Sequence, residues 1–193
     1  PLPWVELDPK QAGDPDLSPP PSERDERWRV IVRRPPEIEK IPQDYITAWS
    51  RVAPWASQRQ VEQDLIISRA LVAIFSDPFL RGELRFRGGT ALNKLHFPAP
   101  LRYSEDIDLV RTTAGPIGPV LDGVRAVLEP WLGEAKSDAS PVAPKLRFRV
   151  NAEGESADVR ISLKIEINTR EREAYDPPIE IPFGVENPWF AGE

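Results

Sequence analysis

The sequence predicts an α+β domain, a mixed β-sheet flanked by helices, preceded by an irregular proline-rich arm. Three patterns predict it. Val159, Ile161, Leu163, Ile165 and Ile167 alternate with Arg160, Ser162, Lys164, Glu166 and Asn168, the period of a half-buried strand. Val61, Leu65, Ile66, Ala70, Leu71, Val72 and Ile74 make a broad apolar face within 58–75, the signature of an amphipathic helix. Pro19-Pro20-Pro21 and Pro35-Pro36 block both helix and central strand near the start of the chain.

The elements follow in order. Residues 1–54 read as the arm, extended on the core or partly disordered, with Arg29 to Arg33 a short strand inside it. Trp4 and Trp28 favour docking of that arm, because bare tryptophan is costly to leave in water. Residues 55–193 then form the core domain. Pro78 closes the helix at 58–75. Leu84 to Phe86 is a short strand leading into Gly88-Gly89. Thr90 to about Leu95 is a helix, stopped by Pro98 and Pro100. Ser104 or Glu105 to Val110 is a strand. Ile117, Val120, Leu121, Val124, Val127, Leu128 and Trp131 recur at helical spacing and cover the sheet. Leu146, Phe148 and Val150 alternate with Arg147 and Arg149, giving the strand before 159–168. Short strands interleaved with amphipathic helices imply the mixed sheet.

Composition narrows the function classes. The chain has 193 residues, no cysteine and one histidine, His96, so disulfides, zinc–thiolate sites and histidine clusters are excluded. No run of eighteen apolar residues occurs, so no membrane-spanning helix is expected. No basic-then-apolar leader opens the sequence, and a cytoplasmic location is expected. The net charge of −6 argues against a general nucleic-acid coat and leaves room for a local basic patch. Arg147, Arg149, Arg160, Arg170 and Arg172 are candidates for such a face, and equally for a solvated sheet surface.

The chemistry concentrates in one stretch. Fifteen residues lie between the Gly88-Gly89-Thr90 turn and the Asp106-Ile107-Asp108 pair. A glycine turn that opens a helix offers bare backbone N–H groups to phosphate oxygens. Two acids at alternate strand positions point to one face and can share metal ions, and two Mg²⁺ ions about 3.5–4 Å apart suit an in-line displacement. Taken alone, each feature is weak: Gly-Gly usually marks a plain turn, and Asp-x-Asp usually marks exposed acids at a strand end. Together, in the order strand, turn, helix, acid strand, they imply nucleotidyl transfer from a nucleoside triphosphate. Thr90 caps the helix and adds a hydroxyl beside the phosphates. Lys94, a turn later, reaches the triphosphate or is a solvated surface lysine. Arg102 contacts phosphate or pairs with Glu105, and Ser104 braces the acid strand. Glu166 completes the metal site or orients the attacking hydroxyl, and Lys164 stabilises phosphate charge. A plain surface Lys/Glu pair is the alternative for these two.

These residues resemble a known group. Phe86-Arg87-Gly88-Gly89-Thr90-Ala91-Leu92-Asn93-Lys94, followed by Arg102-Tyr103-Ser104-Glu105-Asp106-Ile107-Asp108-Leu109, is similar to the AbiEii/AbiGii-type nucleotidyltransferase toxins, which include the MenT toxins, within the DNA polymerase β-like superfamily. The helix at 58–75 and the stretch from Lys164 to Glu171 resemble further family features, so the likeness covers about residues 50–175. The resemblance implies a nucleotidyltransferase fold, Gly88, Gly89 and Thr90 at the triphosphate, and Asp106 and Asp108 as ligands of Mg²⁺ or Mn²⁺. It suggests Lys164 and Glu166 as further active-site groups; the residues themselves offer Glu166 as a third metal ligand and Lys94, Arg102 and Ser104 near the nucleotide. It also implies a cognate antitoxin, often a winged-helix DNA-binding protein, and tRNA as the acceptor. Family members continue into a helical C-terminal region with a Lys/Arg-x-Arg-Asp motif, which this sequence lacks. Small-molecule or protein acceptors, and a non-catalytic antitoxin-binding module, are the alternatives to be separated.

Overall fold

Gln58–Ser76 is the longest helix among the described residues, and the core is built around it. A computed structural model describes residues 40–138, 140–153, 160–171 and 176–193 of the chain. The proline clusters, the strand expected at 29–33, and Trp4 and Trp28 lie outside the described residues, as do Val159 and Arg172. The 43–49 part of the expected arm is instead a helix, α1 (Gln43–Trp49). Pro42 stands just before its first turn, where a missing N–H costs nothing. Ile46 and Trp49, three apart, turn one apolar stripe inward and are buried, as are Ile41 and Ala53. The packed unit therefore begins well before residue 55, because a two-residue stripe is too short a periodic signal beside so many prolines.

The central helix, α2 (Gln58–Ser76), starts at Ser57 with a reciprocal capping box to Gln60. It ends at Asp77, whose carboxylate caps a second short helix, α3 (Pro78–Glu83), with Pro78 in its first turn. Pro78 thus stops one helix and starts another. Strand β1 (Leu84–Arg87) runs into a one-turn helix, α4 (Gly88–Ala91), which continues as a π-helical turn, Leu92–His96. Then come β2 (Asp106–Arg111), α5 (Gly118–Leu132), β3 (Lys136–Asp138), β4 (Lys145–Asn151) and β5 (Arg160–Asn168). A small hairpin, β6 (Val185–Asn187) with β7 (Phe190–Gly192), closes the chain. The three-residue strands β3, β6 and β7 carry too few alternations to be read from sequence.

The sheet has the order β1-β2-β5-β4-β3, and β2 runs parallel to β5 while the other pairs are antiparallel. Ile107 and Leu109 of β2, Leu146, Phe148 and Val150 of β4, and Ile161, Leu163, Ile165 and Ile167 of β5 all face the helices and are buried. They pack with Val61, Leu65, Ile66, Leu71 and Ile74 of α2 and Val120, Val124 and Leu128 of α5. At ~25 cal/mol per Å² of apolar surface, burial of this one layer is the main stabilising term. The other side chains of the same strands point to the opposite face, which carries the polar residues. Among the described residues no helix is long and apolar enough to cross a membrane.

Candidate active site

Sheet register brings the acids together. Asp106 pairs with Lys164 across β2 and β5, and Asp108 pairs with Glu166, so all four side chains lie on the polar face. Arg87 of β1 is opposite Asp108, and Lys145 of β4 is opposite Glu166. One row across the sheet therefore reads Arg87, Asp108, Glu166, Lys145. Lys164 Nζ donates to Asp106 Oδ2 at 2.7 Å and lies 3.6 Å from Glu166 Oε2, while Lys145 Nζ lies 3.3 Å from the same oxygen. The bond to Asp106 leads the causes that hold the Lys164 ammonium above its ordinary pKa. Asp108 has no cation of its own among these contacts. Burial first, and then the neighbouring Asp106 carboxylate, push its pKa up, with Glu166 adding to the shift.

The glycine turn abuts this acid. Gly88 has φ +79°, a conformation that side chains rarely adopt, and a Cβ built on it would stand 2.6 Å from Asp108 Oδ2. Both requirements select glycine at 88. An open cleft of about 370 Å³ lies here, lined by Arg87, Gly88, Asp108, Leu109, Glu166 and Asn168. Gly89 is exposed, and the Arg102 guanidinium passes beside it, 3.7 Å from where a Cβ would be.

Three predicted residues do other work. Thr90 is buried, and its hydroxyl donates to the Asp106 carbonyl at 2.7 Å while hydrogen-bonding the Ser104 hydroxyl. Thr90 and Ser104 thus tie the glycine turn to the start of the acid strand, as expected for Ser104 but leaving Thr90 turned inward. Lys94 does not reach the cleft. Its ammonium is buried in a pair with Asp64 Oδ1 at 3.0 Å and a hydrogen bond to Ser68 Oγ at 2.9 Å. The reason is Asp64, a buried acid on α2 that also accepts from the indoles of Trp49 and Trp55 and requires a countercharge. Arg102 forms no ion pair with Glu105 among the described contacts, and its backbone N–H leans on Asn93 Oδ1 at 3.4 Å.

Sequence reasoning missed Asp64, Lys145 and Asn168. Lys145 and Asn168 reach the site only through strand register, which one sequence does not display. Asp64 had a signal in hindsight: a charged residue on the apolar face of a long helix needs a buried partner. Gln63, its neighbour, is also buried, and its amide donates to the carbonyls of Glu105 at 3.4 Å and Ser162 at 3.2 Å. It fastens β2 to β5 just before the acids.

The donor set bears on the metal. Among the described residues no three His, Cys, Asp or Glu side chains cluster closely enough to hold a cation alone. Glu166 is engaged by two lysines, so the trio of Asp106, Asp108 and Glu166 does not stand as a cage. Asp108 and Asp106, the latter with its Oδ2 held by Lys164, are a pair of hard oxygen donors on one face. Mg²⁺ is commonly held by one or two carboxylates and substrate phosphates, which this pair fits.

Among structures, the chain is similar to JHP933 from Helicobacter pylori, at 18% identity and a TM-score of 0.45, covering 62% of this chain and 47% of that one. A putative nucleotidyltransferase from H. pylori matches at 20% identity and a TM-score of 0.43, over 62% and 49%. MenT4, a nucleotidyltransferase toxin from Mycobacterium tuberculosis, matches at 18% identity and a TM-score of 0.38, over 65% and 43%. The matched region is thus under half the length of each of those chains. No curated protein matches. Residues 69–192 match the family described as "Nucleotidyl transferase AbiEii toxin, Type IV TA system". That span takes in the glycine turn, both aspartates, Lys164 and Glu166, and the chain belongs to the AbiEii nucleotidyltransferase toxin family.

Proposed function

We propose that this domain transfers a nucleotide from a nucleoside triphosphate to an acceptor hydroxyl, releasing pyrophosphate, as the toxin of a toxin–antitoxin pair. The observation that carries the proposal is the contact between Gly88 and Asp108 at the mouth of the cleft. It sets a phosphate-binding turn against an acid that forms no ion pair among the described residues. The N–H groups of the Gly88-Gly89 turn face the triphosphate. Asp106 and Asp108 hold the divalent cation, Mg²⁺ or Mn²⁺, which supplies neutralisation of phosphate charge when bound. Lys164, fixed by Asp106, and Arg87, at the cleft wall, contribute positive charge to the phosphates. Glu166 lies one strand from Asp108 and orients the attacking hydroxyl. The hydroxyl oxygen bonds the α-phosphorus as the bond to pyrophosphate breaks, and the hydroxyl proton is released to solvent. The acceptor is tRNA, the setting is the cytoplasm, and a cognate antitoxin restrains the activity.

The test is transfer of α-labelled nucleotide from each triphosphate onto bulk tRNA, protein and small acceptors. Label is expected on tRNA with wild-type protein, and none with Asp106→Ala or Asp108→Asn. Undiminished transfer by either variant rejects the mechanism, and label on protein or a small molecule alone rejects the acceptor.

A further inference from the structure

The polar face of the sheet continues past the acids as a band of cations. Asp106 is opposite Lys164, Lys164 is opposite Arg147, and Arg147 is opposite Lys136, so one row reads acid, then three positive charges. The next row toward the start of β5 sets Arg149 against Ser162, and the one beyond it sets Arg160 against Asn151. Lys136, Arg149 and Arg160 are exposed, and Arg147 is half-buried. None of these four has an ion pair with another described residue. Surface cations that serve only solubility are usually interspersed with acids. Here a chain of net charge −6 gathers on a single face four that have no ion pair among the described residues, while Asp138, beside Lys136 on β3, sits opposite Lys145. Same-face residues on a strand are about 6.6–6.8 Å apart and strands about 4.8 Å apart. The band from Lys164 to Arg160 therefore extends roughly 13 Å from the acids along β5.

We propose that this band, formed by Lys136, Arg147, Arg149 and Arg160, carries the sugar–phosphate backbone of a single-stranded polynucleotide acceptor whose terminal hydroxyl lies at Asp106 and Asp108. The direction of the strand rests on the nucleotidyl-transfer reading, whereas its binding to the band does not. A small acceptor would have no use for cations so far from the acids. An acidic protein would match the charge but not a terminal hydroxyl held at the cleft. The band contains no aromatic side chain, so binding is electrostatic and tolerant of base sequence.

The experiment is fluorescence anisotropy with a short fluorescein-labelled single-stranded oligoribonucleotide, titrated with the full chain over a range of salt. Arg149→Glu/Arg160→Glu should bind at least tenfold more weakly at low salt. Its log K against log salt should be shallower by about 1.4, since each lost phosphate contact on a single strand removes about 0.7. Arg149→Lys/Arg160→Lys should keep the wild-type slope, and Arg149→Gln alone should lose about 0.7, even if the double reversal fails to fold. Equal affinity and slope for wild type and the charge-altered variants would overturn the proposal, as would no RNA binding by wild type. Mg²⁺·triphosphate binding by Arg149→Glu/Arg160→Glu, measured in parallel, should match wild type. Charge-dependent RNA binding in a protein that binds no triphosphate would sink the transfer reading and leave the band standing.

Discussion

At Gly88 two demands meet in one residue, a positive φ and a backbone that lies against a carboxylate. Gly88→Ala should therefore cost about 1–3 kcal/mol of stability, the usual range for a non-glycine residue forced into this region, and displace Asp108. Thermal unfolding and triphosphate affinity should fall together. Asp108 carries a charge that its surroundings disfavour. Its folded pKa lies above the unfolded value, so the wild type binds more protons when folded and loses stability as pH rises through that folded pKa. In chelator-treated buffer, Asp108→Asn should melt at a higher temperature than wild type at neutral pH. The gain should vanish as pH falls below the ordinary carboxylate range, where both carry no charge. An equal or lower melting temperature at neutral pH would show that the site is not strained by its own negative charge.

At the scale of elements, α2 does more for the site than its distance suggests. Gln63 ties the start of β2 to β5, and Asp64 anchors the π-helical turn through Lys94 and α1 through Trp49. Removing one partner of a buried ion pair leaves the other uncompensated, so Asp64→Ala should destabilise by about 3–5 kcal/mol. Ser57→Ala, which removes only an exposed cap of the same helix, should cost about 1 kcal/mol. Denaturant melts of the two variants compare them directly, and similar losses would contradict a central role for Asp64. The long periodic elements were legible in the sequence: α2, α5, β4 and β5 fall within a residue or two of the spacing-based reading. What escaped had a physical reason. Helix α1 presents two apolar residues in one stripe, β3 and the closing hairpin are three residues per strand, and α4 begins at Gly88 rather than Thr90 because glycines can enter a helix that their propensity disfavours. For the site, alternation showed that Asp106 and Asp108 share a face. Only the parallel register of β2 with β5 shows that Lys164 meets Asp106 and Glu166 meets Asp108. Lys94 was misplaced because spacing along a helix says nothing of a buried acid thirty residues upstream.

At the scale of the molecule, one face of the sheet builds the core and the other carries the charged residues. The helices cover the apolar face, so the acids, the glycine turn and the cation band share the opposite one. An acidic protein can then address a polyanion through a local field, which predicts a strong loss of acceptor binding with added salt. Nucleotide binding, by contrast, should depend chiefly on the divalent cation. The central claim is that the Gly88 turn and the aspartates of β2 form one seat for a metal–triphosphate. Calorimetric titration of each triphosphate into the protein, with Mg²⁺ and then with chelator, tests it most directly. Saturable binding that requires Mg²⁺ and disappears in Asp108→Asn is the predicted result. Binding that is indifferent to the metal and to that substitution would contradict the account.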